Sequence, residues 1–138
     1  KYKFVPYTMI KYHKNIVITA SLLAMLAIAL GAFGAHGLKP LISADSLAVF
    51  QTGVTYQMYH ALALLALALI PGLGIQKVRI VFRVFVLGIF LFCGSLYILA
   101  LKNVLPFSVS FLAPVTPIGG LLLISGWALL TYSVVKMK

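Results

Sequence analysis

Four long apolar runs occupy most of this 138-residue sequence, which contains a single acidic side chain, Asp45. A helix needs about 20 predominantly apolar residues to cross the ~30 Å hydrocarbon layer of a bilayer. Runs of this kind cover residues 16–35, 47–70, 84–101 and 115–135. The sequence therefore predicts an all-α polytopic membrane protein, with four transmembrane helices forming an antiparallel bundle over residues 16–138.

The basic residues cluster on one side of the predicted bundle. The formal net charge is +10. The bases before the first run, between the second and third, and after the fourth are Lys1, Lys3, Lys11, Lys14, Lys77, Arg79, Arg83, Lys136 and Lys138. Only Lys39 and Lys102 fall on the other side, with Asp45. Because cytoplasmic loops are enriched in Lys and Arg, both termini are predicted to be cytoplasmic, or in the matrix of a mitochondrion. This placement argues against nucleic acid as a partner.

Residues 1–15 form a basic and aromatic segment before the first run, with Tyr2, Phe4, Tyr7 and Tyr12 between the bases. Aromatic rings and long cationic side chains are both stable at the headgroup boundary. We interpret the segment as an interfacial arm, with a docking arm for a partner protein as the alternative.

Small residues recur on one face of three runs and predict where helices pack. In lipid, helices associate through close backbone approach and hydrogen bonds, because burying leucine against leucine gains little. The predicted packing positions are Ala20, Ala24, Ala27, Gly31, Gly34, Ala35, Gly88, Ser95, Gly119 and Gly126.

The second run differs from the others because it carries polar side chains near its centre. Polar groups in hydrocarbon are costly without partners, so this face is expected to point into the bundle. Trp127 of the fourth run is expected to fill the interior and to bond across it through its N–H. We predict a narrow polar pocket that opens outward and is lined by His36, Gly53, Tyr56, Gln57, His60 and Tyr97.

His60 has several chemical interpretations. It is a candidate haem ligand, proton relay or quinone contact, or a neutral imidazole that is hydrogen-bonded within the bundle. Haem held by two histidines needs both at similar depth, whereas His36 lies at the outer end of the first run. Proton-coupled exporters usually need an intramembrane carboxylate, and Asp45 lies in a loop.

We expect no enzyme, cofactor or metal site. The sequence shows no phosphate-binding loop, metal-ligand cluster or nucleophile beside a base. The single cysteine, Cys93, lies within an apolar run and excludes an intramolecular disulfide.

Four ordered motifs carry a family resemblance: Gly31 to Lys39, Phe50 to Leu65, Gly94 to Tyr97, and Thr116 to Gly120 followed by Gly126 and Trp127. With these motifs the chain resembles a family known only as a domain of unknown function, which includes YgdD-like and YwdK-like bacterial inner-membrane proteins and mitochondrial relatives. The resemblance covers nearly all of the chain after the first fifteen residues. It implies a four-helix membrane protein and no established activity.

The function expected from these observations is that of a structural or accessory subunit. It would act through helix contacts in the bilayer, as a homo-oligomer or within a larger membrane complex. A conduit or binder for protons or a small solute is the alternative, and a haem- or quinone-site subunit is the second alternative. The expected location is the bacterial inner (plasma) membrane, with the mitochondrial inner membrane as the alternative.

Overall fold

The computed structural model describes residues 13–137, and these residues are predominantly helical, with no strand among them. The four long helices are α1 (Lys14–Phe33), α2 (Ala44–Leu69), α3 (Ile75–Ala100) and α4 (Val115–Val135). A π-helical turn at Gly34–Leu38 continues α1, and a short 3₁₀ turn at Ser110–Leu112 precedes α4. The predicted all-α class is confirmed for this part of the chain.

Consecutive helices run antiparallel, and their order in space follows their order in the chain. The backbone N–H of His13 donates to the carbonyl of Ala68 at 3.3 Å, which joins the start of α1 to the end of α2. At the opposite end of α1, Gly34 faces the ring of Phe50 near the start of α2. The helices α2 and α3 form the centre, with α1 packed mainly on α2 and α4 mainly on α3.

Three helical segments among the described residues are long and apolar enough to cross a membrane: Lys14–Leu38, Ile75–Ala100 and Ser110–Val135. The helix α2 is as long as α3, with 26 residues, but its sequence is less apolar. A helix of 26 residues is roughly 39 Å long at about 1.5 Å per residue, which exceeds the ~30 Å hydrocarbon thickness. The helix α2 is therefore long enough to cross a bilayer, although it is not among the three segments that are apolar enough.

On the basic side, α3 is longer than the apolar run that marks it in the sequence. The run covers residues 84–101, whereas α3 begins at Ile75 and also contains Lys77, Arg79 and Arg83. A helix continues past the hydrocarbon boundary because Lys and Arg are well solvated among the headgroups. Of the predicted interfacial arm, residues 14 and 15 are helical. Residues 1–12 of that arm lie outside the described residues.

Residues next to the helix ends determine where the helices begin and end. The hydroxyl of Ser43 accepts a hydrogen bond from the N–H of Ser46 at 3.2 Å and caps α2. Pro40 cannot continue the helix before it, because proline lacks an N–H group. In the turn between α2 and α3, Gly72 has φ of +77°, a conformation that glycine adopts without steric cost.

Glycines allow α3 and α4 to approach until their backbones touch. A Cβ atom on Gly119 would overlap the backbone N and Cα of Phe92. A Cβ on Gly126 would lie 2.6 Å from Cδ1 of Phe85, which is closer than carbon atoms pack. Close backbone approach of this kind is a principal source of helix association in lipid.

The predicted packing positions differ in their burial. The buried ones are Ala20, Ala27, Gly34, Gly88, Ser95, Gly119 and Gly126. Ala24 and Gly31 are half-buried. Ala35 is exposed and does not belong to the buried face, because it lies in the π-helical turn, where the wider helix shifts the register of the small residues.

The glycine contact between α3 and α4 leads to a first prediction. Replacement of Gly119 by alanine should destabilise the protein by about 1–3 kcal/mol, since the added methyl group overfills the crossing. Gly94→Ala is the matched control, because a Cβ there would meet no atom within 4 Å. Thermal unfolding in detergent measures both variants. Equal melting temperatures for the two would show that this crossing is not tightly packed.

Candidate functional site

Gln57 connects α2 to both of its neighbours. Its Nε2 donates to the carbonyl of Leu23 on α1 at 2.9 Å. Its Oε1 accepts the hydroxyl proton of Tyr97 on α3, also at 2.9 Å. The side chain is 3% exposed and lies at the middle of α2. A single amide near the centre of the fold thus joins three helices.

Gly53, one turn before Gln57, provides the space that Tyr97 occupies. A Cβ atom on Gly53 would lie 2.7 Å from Cε1 of Tyr97, so no larger residue fits without displacing the ring. The same ring packs against Phe50, with 4.9 Å between ring centroids. The tyrosine therefore approaches α2 closely enough to reach Gln57.

His60, one turn after Gln57, connects α2 to α4. Its Nδ1 lies 2.8 Å from the carbonyl oxygen of Tyr56, and its Nε2 lies 3.1 Å from the indole Nε1 of Trp127. A carbonyl only accepts and an indole N–H only donates. The partners therefore assign the proton to Nδ1 and the acceptor role to Nε2, which makes the ring neutral. A second proton on Nε2 would face the indole N–H and break this bond.

Aromatic rings surround His60 on several sides. The ring of Phe85 meets it edge-on at 5.4 Å between centroids, and the ring of Trp127 does so at 6.0 Å. The ring of Tyr56 stacks on it at 6.2 Å. His60 is only 5% exposed as a result. The imidazole is held by packing as well as by hydrogen bonds.

We call Gln57 and His60, together with Leu23, Tyr56, Tyr97 and Trp127, the α2 network. Its members come from all four helices. Among the described residues, every buried side-chain nitrogen and oxygen has a hydrogen-bond partner. The network therefore satisfies the buried polar groups of α2 from within the protein, as a hydrocarbon environment requires.

A separate polar contact joins α3 to the start of α4. The hydroxyls of Ser95 and Thr116 lie 2.7 Å apart, and Ser95 also donates to the carbonyl of Phe92 at 3.0 Å. This bond lies beside the crossing at Gly119. Ser95 thus combines a small side chain with a specific partner on α4.

The structure brings together four of the six predicted site residues: Gly53, Gln57, His60 and Tyr97. Tyr56 contributes its backbone carbonyl and one ring face, while its side chain is 41% exposed. His36 is exposed in the π-helical turn, at the end of α1, and is not among the hydrogen-bond partners of the network.

The space predicted as an outward-opening pocket beside Gly53 contains the ring of Tyr97. Sequence reasoning missed the Leu23 carbonyl and the ring of Phe85, and it did not name the partner of the Trp127 N–H. A backbone carbonyl leaves no signal in an amino-acid pattern, since every residue has one. The helix α3 contains several phenylalanines, and the sequence does not indicate that Phe85 is the one that contacts His60.

The geometry of the α2 network suits hydrogen bonds within the protein better than it suits the binding of a cofactor. Both ring nitrogens of His60 are engaged by groups of the protein itself. Cys93 is buried in the apolar core. In the described part of the chain, no three His, Cys, Asp or Glu side chains lie together as a metal-binding group.

Together, the fold and the α2 network define a small helical membrane protein with hydrogen-bonded polar groups in its interior. Residues 30–120 match the family described as "Protein of unknown function (DUF423)". The chain belongs to this family, and the resemblance inferred from the four sequence motifs is confirmed.

Bacterial relatives support the assignment over most of the chain. A UPF0382 membrane protein of Staphylococcus saprophyticus is 44% identical over 124 residues, which cover 90% of this chain and 99% of the relative. YwdK of Bacillus subtilis is 41% identical, with 89% and 98% covered. YgdD of Escherichia coli, described as an inner membrane protein, is 39% identical, with 88% and 90% covered. No solved structure matches the chain.

The bridging role of Gln57 leads to a second prediction. Tyr97→Phe removes one hydroxyl and leaves Oε1 of Gln57 without its partner. We expect a loss of stability of about 0.6 kcal/mol, the average for hydrogen bonds between membrane helices, and at most about 1.7 kcal/mol. Tyr132→Phe is the control, because Tyr132 is exposed on α4. Equal unfolding free energies for both variants would show that the hydroxyl bond adds nothing.

Proposed function

We propose that this protein is a structural or accessory membrane subunit that crosses the bilayer four times and acts through contacts of α2 with a partner helix. The partner is a second copy of the chain or a subunit of a larger complex. The proposal rests on one observation, a polar stripe on the exposed side of α2.

We call this surface the outer stripe of α2. Its exposed members are Gln51, Thr52, Thr55, Tyr56 and Tyr59. Thr52 turns its hydroxyl back to its own helix and donates to the carbonyl of Ala48 at 2.9 Å. Tyr59, by contrast, is 60% exposed. The polar residues of α2 thus lie on two sides of the helix. One side faces the other helices and forms the α2 network, and the other side faces outward.

The depth of the outer stripe makes it significant. Thr55 and Tyr59 lie within three residues of the middle of α2, hence roughly 5 Å from it along the helix axis. A hydroxyl or amide in hydrocarbon is costly unless it has a hydrogen-bond partner. The exposed sides of α1 and α4 instead carry residues such as Met25, Ile28 and Ile124. Covering the outer stripe with another helix would satisfy its polar groups.

The proposed four spans and their orientation follow from the antiparallel order. If α1, α3 and α4 cross the membrane, the connections require α2 to cross as well. The end where His13 meets Ala68 carries Lys14, Lys77, Arg79, Arg83 and Lys136, so this end, with both termini, is proposed to face the cytoplasm. We place the protein in the bacterial inner membrane, and keep the mitochondrial inner membrane as the alternative. The interfacial arm of residues 1–15 belongs to the same proposal.

The surroundings of His60 support a structural role over a conduit or a redox site. A proton relay or a haem ligand needs a ring nitrogen that is free to exchange partners or bind iron. Both nitrogens of His60 have partners within the protein, and three aromatic rings pack around it. We accordingly propose no enzymatic activity for the chain.

Thiol labelling tests the four-span orientation. A membrane-impermeant maleimide should modify Asn15→Cys and Lys136→Cys from the same side of sealed vesicles, and Lys39→Cys from the other. The native Cys93 is buried and should react slowly, so the unsubstituted chain is the control. Labelling of the first two positions from opposite sides would contradict the proposed topology.

Cross-linking tests the outer stripe. Thr55→Cys, near the middle of α2, should form covalent adducts in native membranes after treatment with a thiol-specific photoactivatable cross-linker, because a partner helix is expected to cover it. Ile124→Cys, which is exposed on α4 among apolar residues, should form few. The mass of the adduct distinguishes a second copy from another subunit. No adduct at Thr55→Cys, with a monodisperse monomer after purification, would overturn the proposed function.

A further inference from the structure

A cavity of about 380 Å³ lies between the start of α1 and the start of α3. Three basic side chains line it: His13 and Lys14 at the start of α1, and Arg79 on α3. Lys14 and Arg79 are exposed, and His13 is half-buried. We call this site the basic cavity. Its volume falls within the range of roughly 300–1,000 Å³ that is usual for small-molecule sites.

The remaining wall of the basic cavity is largely apolar. It includes Ile16 of α1 and Val78 and Phe82 of α3. Ile16 and Val78 are buried in the main core, and Phe82 packs against that core. The cavity therefore offers cationic groups beside an apolar surface. A phospholipid is complementary to this arrangement, because it carries an anionic phosphate next to its acyl chains.

The basic cavity lies at the end of the fold where the bases concentrate. His13 bonds to Ala68 there, and Gly72 faces Met137, so the ends of all four helices meet at this level. The single acidic side chain of the sequence, Asp45, is in the first turn of α2 at the other end. No acidic side chain is therefore present to neutralise Lys14 and Arg79.

The backbone adds to the positive potential. Both α1 and α3 begin at this cavity, and neither start has a side-chain cap, whereas Ser43 caps α2. The first N–H groups of a helix carry a partial positive charge that favours anions. This contribution accompanies the basic side chains and does not define the site alone.

We infer that the basic cavity binds the headgroup of an anionic phospholipid. The phosphate would lie beside Lys14 and Arg79, and the upper part of the acyl chains would lie against Ile16 and Phe82. Basic pockets between helices on the cytoplasmic side are suited to such headgroups. A zwitterionic lipid is a poorer match, because its ammonium group would add positive charge beside the bases. The inference rests on the proposed membrane orientation of the basic end.

Native mass spectrometry of the full chain in detergent tests this inference. Phosphatidylglycerol and phosphatidylcholine are added at equal concentrations, and the bound lipid is measured. We expect phosphatidylglycerol to be retained preferentially. The double substitution Lys14→Gln and Arg79→Gln should weaken its binding about 30-fold, as expected for the loss of two bases near an anionic headgroup. The matched control, Lys77→Gln with Lys136→Gln, removes the same charge outside the cavity and should weaken binding much less.

Three outcomes would overturn the inference. The first is equal retention of the two lipids by the unsubstituted chain. The second is equal weakening by the two double variants, which would indicate a general attraction of the basic end. The third is that glycerol 3-phosphate, added at the same concentration, binds as strongly as phosphatidylglycerol. The site would then recognise a free phosphate ester and not a lipid. Thiol labelling reports the membrane topology separately, so failure of the two proposals can be distinguished.

Discussion

Hydrocarbon offers no hydrogen-bond partners, and this constraint explains the position of α2 in the fold when α2 crosses the bilayer as we propose. In such a helix Gln57 and His60 lie too deep to reach water, so their partners must come from protein. Leu23, Tyr97 and Trp127 supply them from the other three helices. The polar side chains of α2 therefore act as the links that hold α1, α3 and α4 in register.

The helices pack through two kinds of contact, close backbone approach at glycines and hydrogen bonds between side chains. Between α3 and α4 the glycines bring backbones into contact, and the hydrogen bond between the hydroxyls of Ser95 and Thr116 adds specificity. Around α2, side-chain hydrogen bonds take a larger part, and Gly53 admits the ring of Tyr97. Since burial of apolar groups provides little drive in lipid, both kinds of contact are needed to define one arrangement.

The two ends of the fold differ in charge, and the two sides of α2 differ in their surroundings. The basic end brings Lys14 and Arg79 together around a cavity with an apolar wall, which suits an anionic lipid. The inner side of α2 is satisfied by the network, whereas the outer stripe around Thr55 faces away from the fold. Lipid at one end and a partner helix along one side are the two interactions that these surfaces favour.

The sequence by itself determined the helical class and the family, because apolar runs of membrane length and four ordered motifs are local properties of the chain. The run at residues 115–135 coincides with α4, because no charged side chain occurs within this helix. The third apolar run, residues 84–101, is shorter than α3, since Lys77, Arg79 and Arg83 interrupt the apolar pattern of a helix that begins at Ile75. Only the tertiary structure decided that Tyr97 fills the space beside Gly53, that Leu23 receives the amide of Gln57, and that His36 stands apart from the network. Those outcomes depend on the relative rotation and depth of neighbouring helices, which contacts between distant parts of the chain determine.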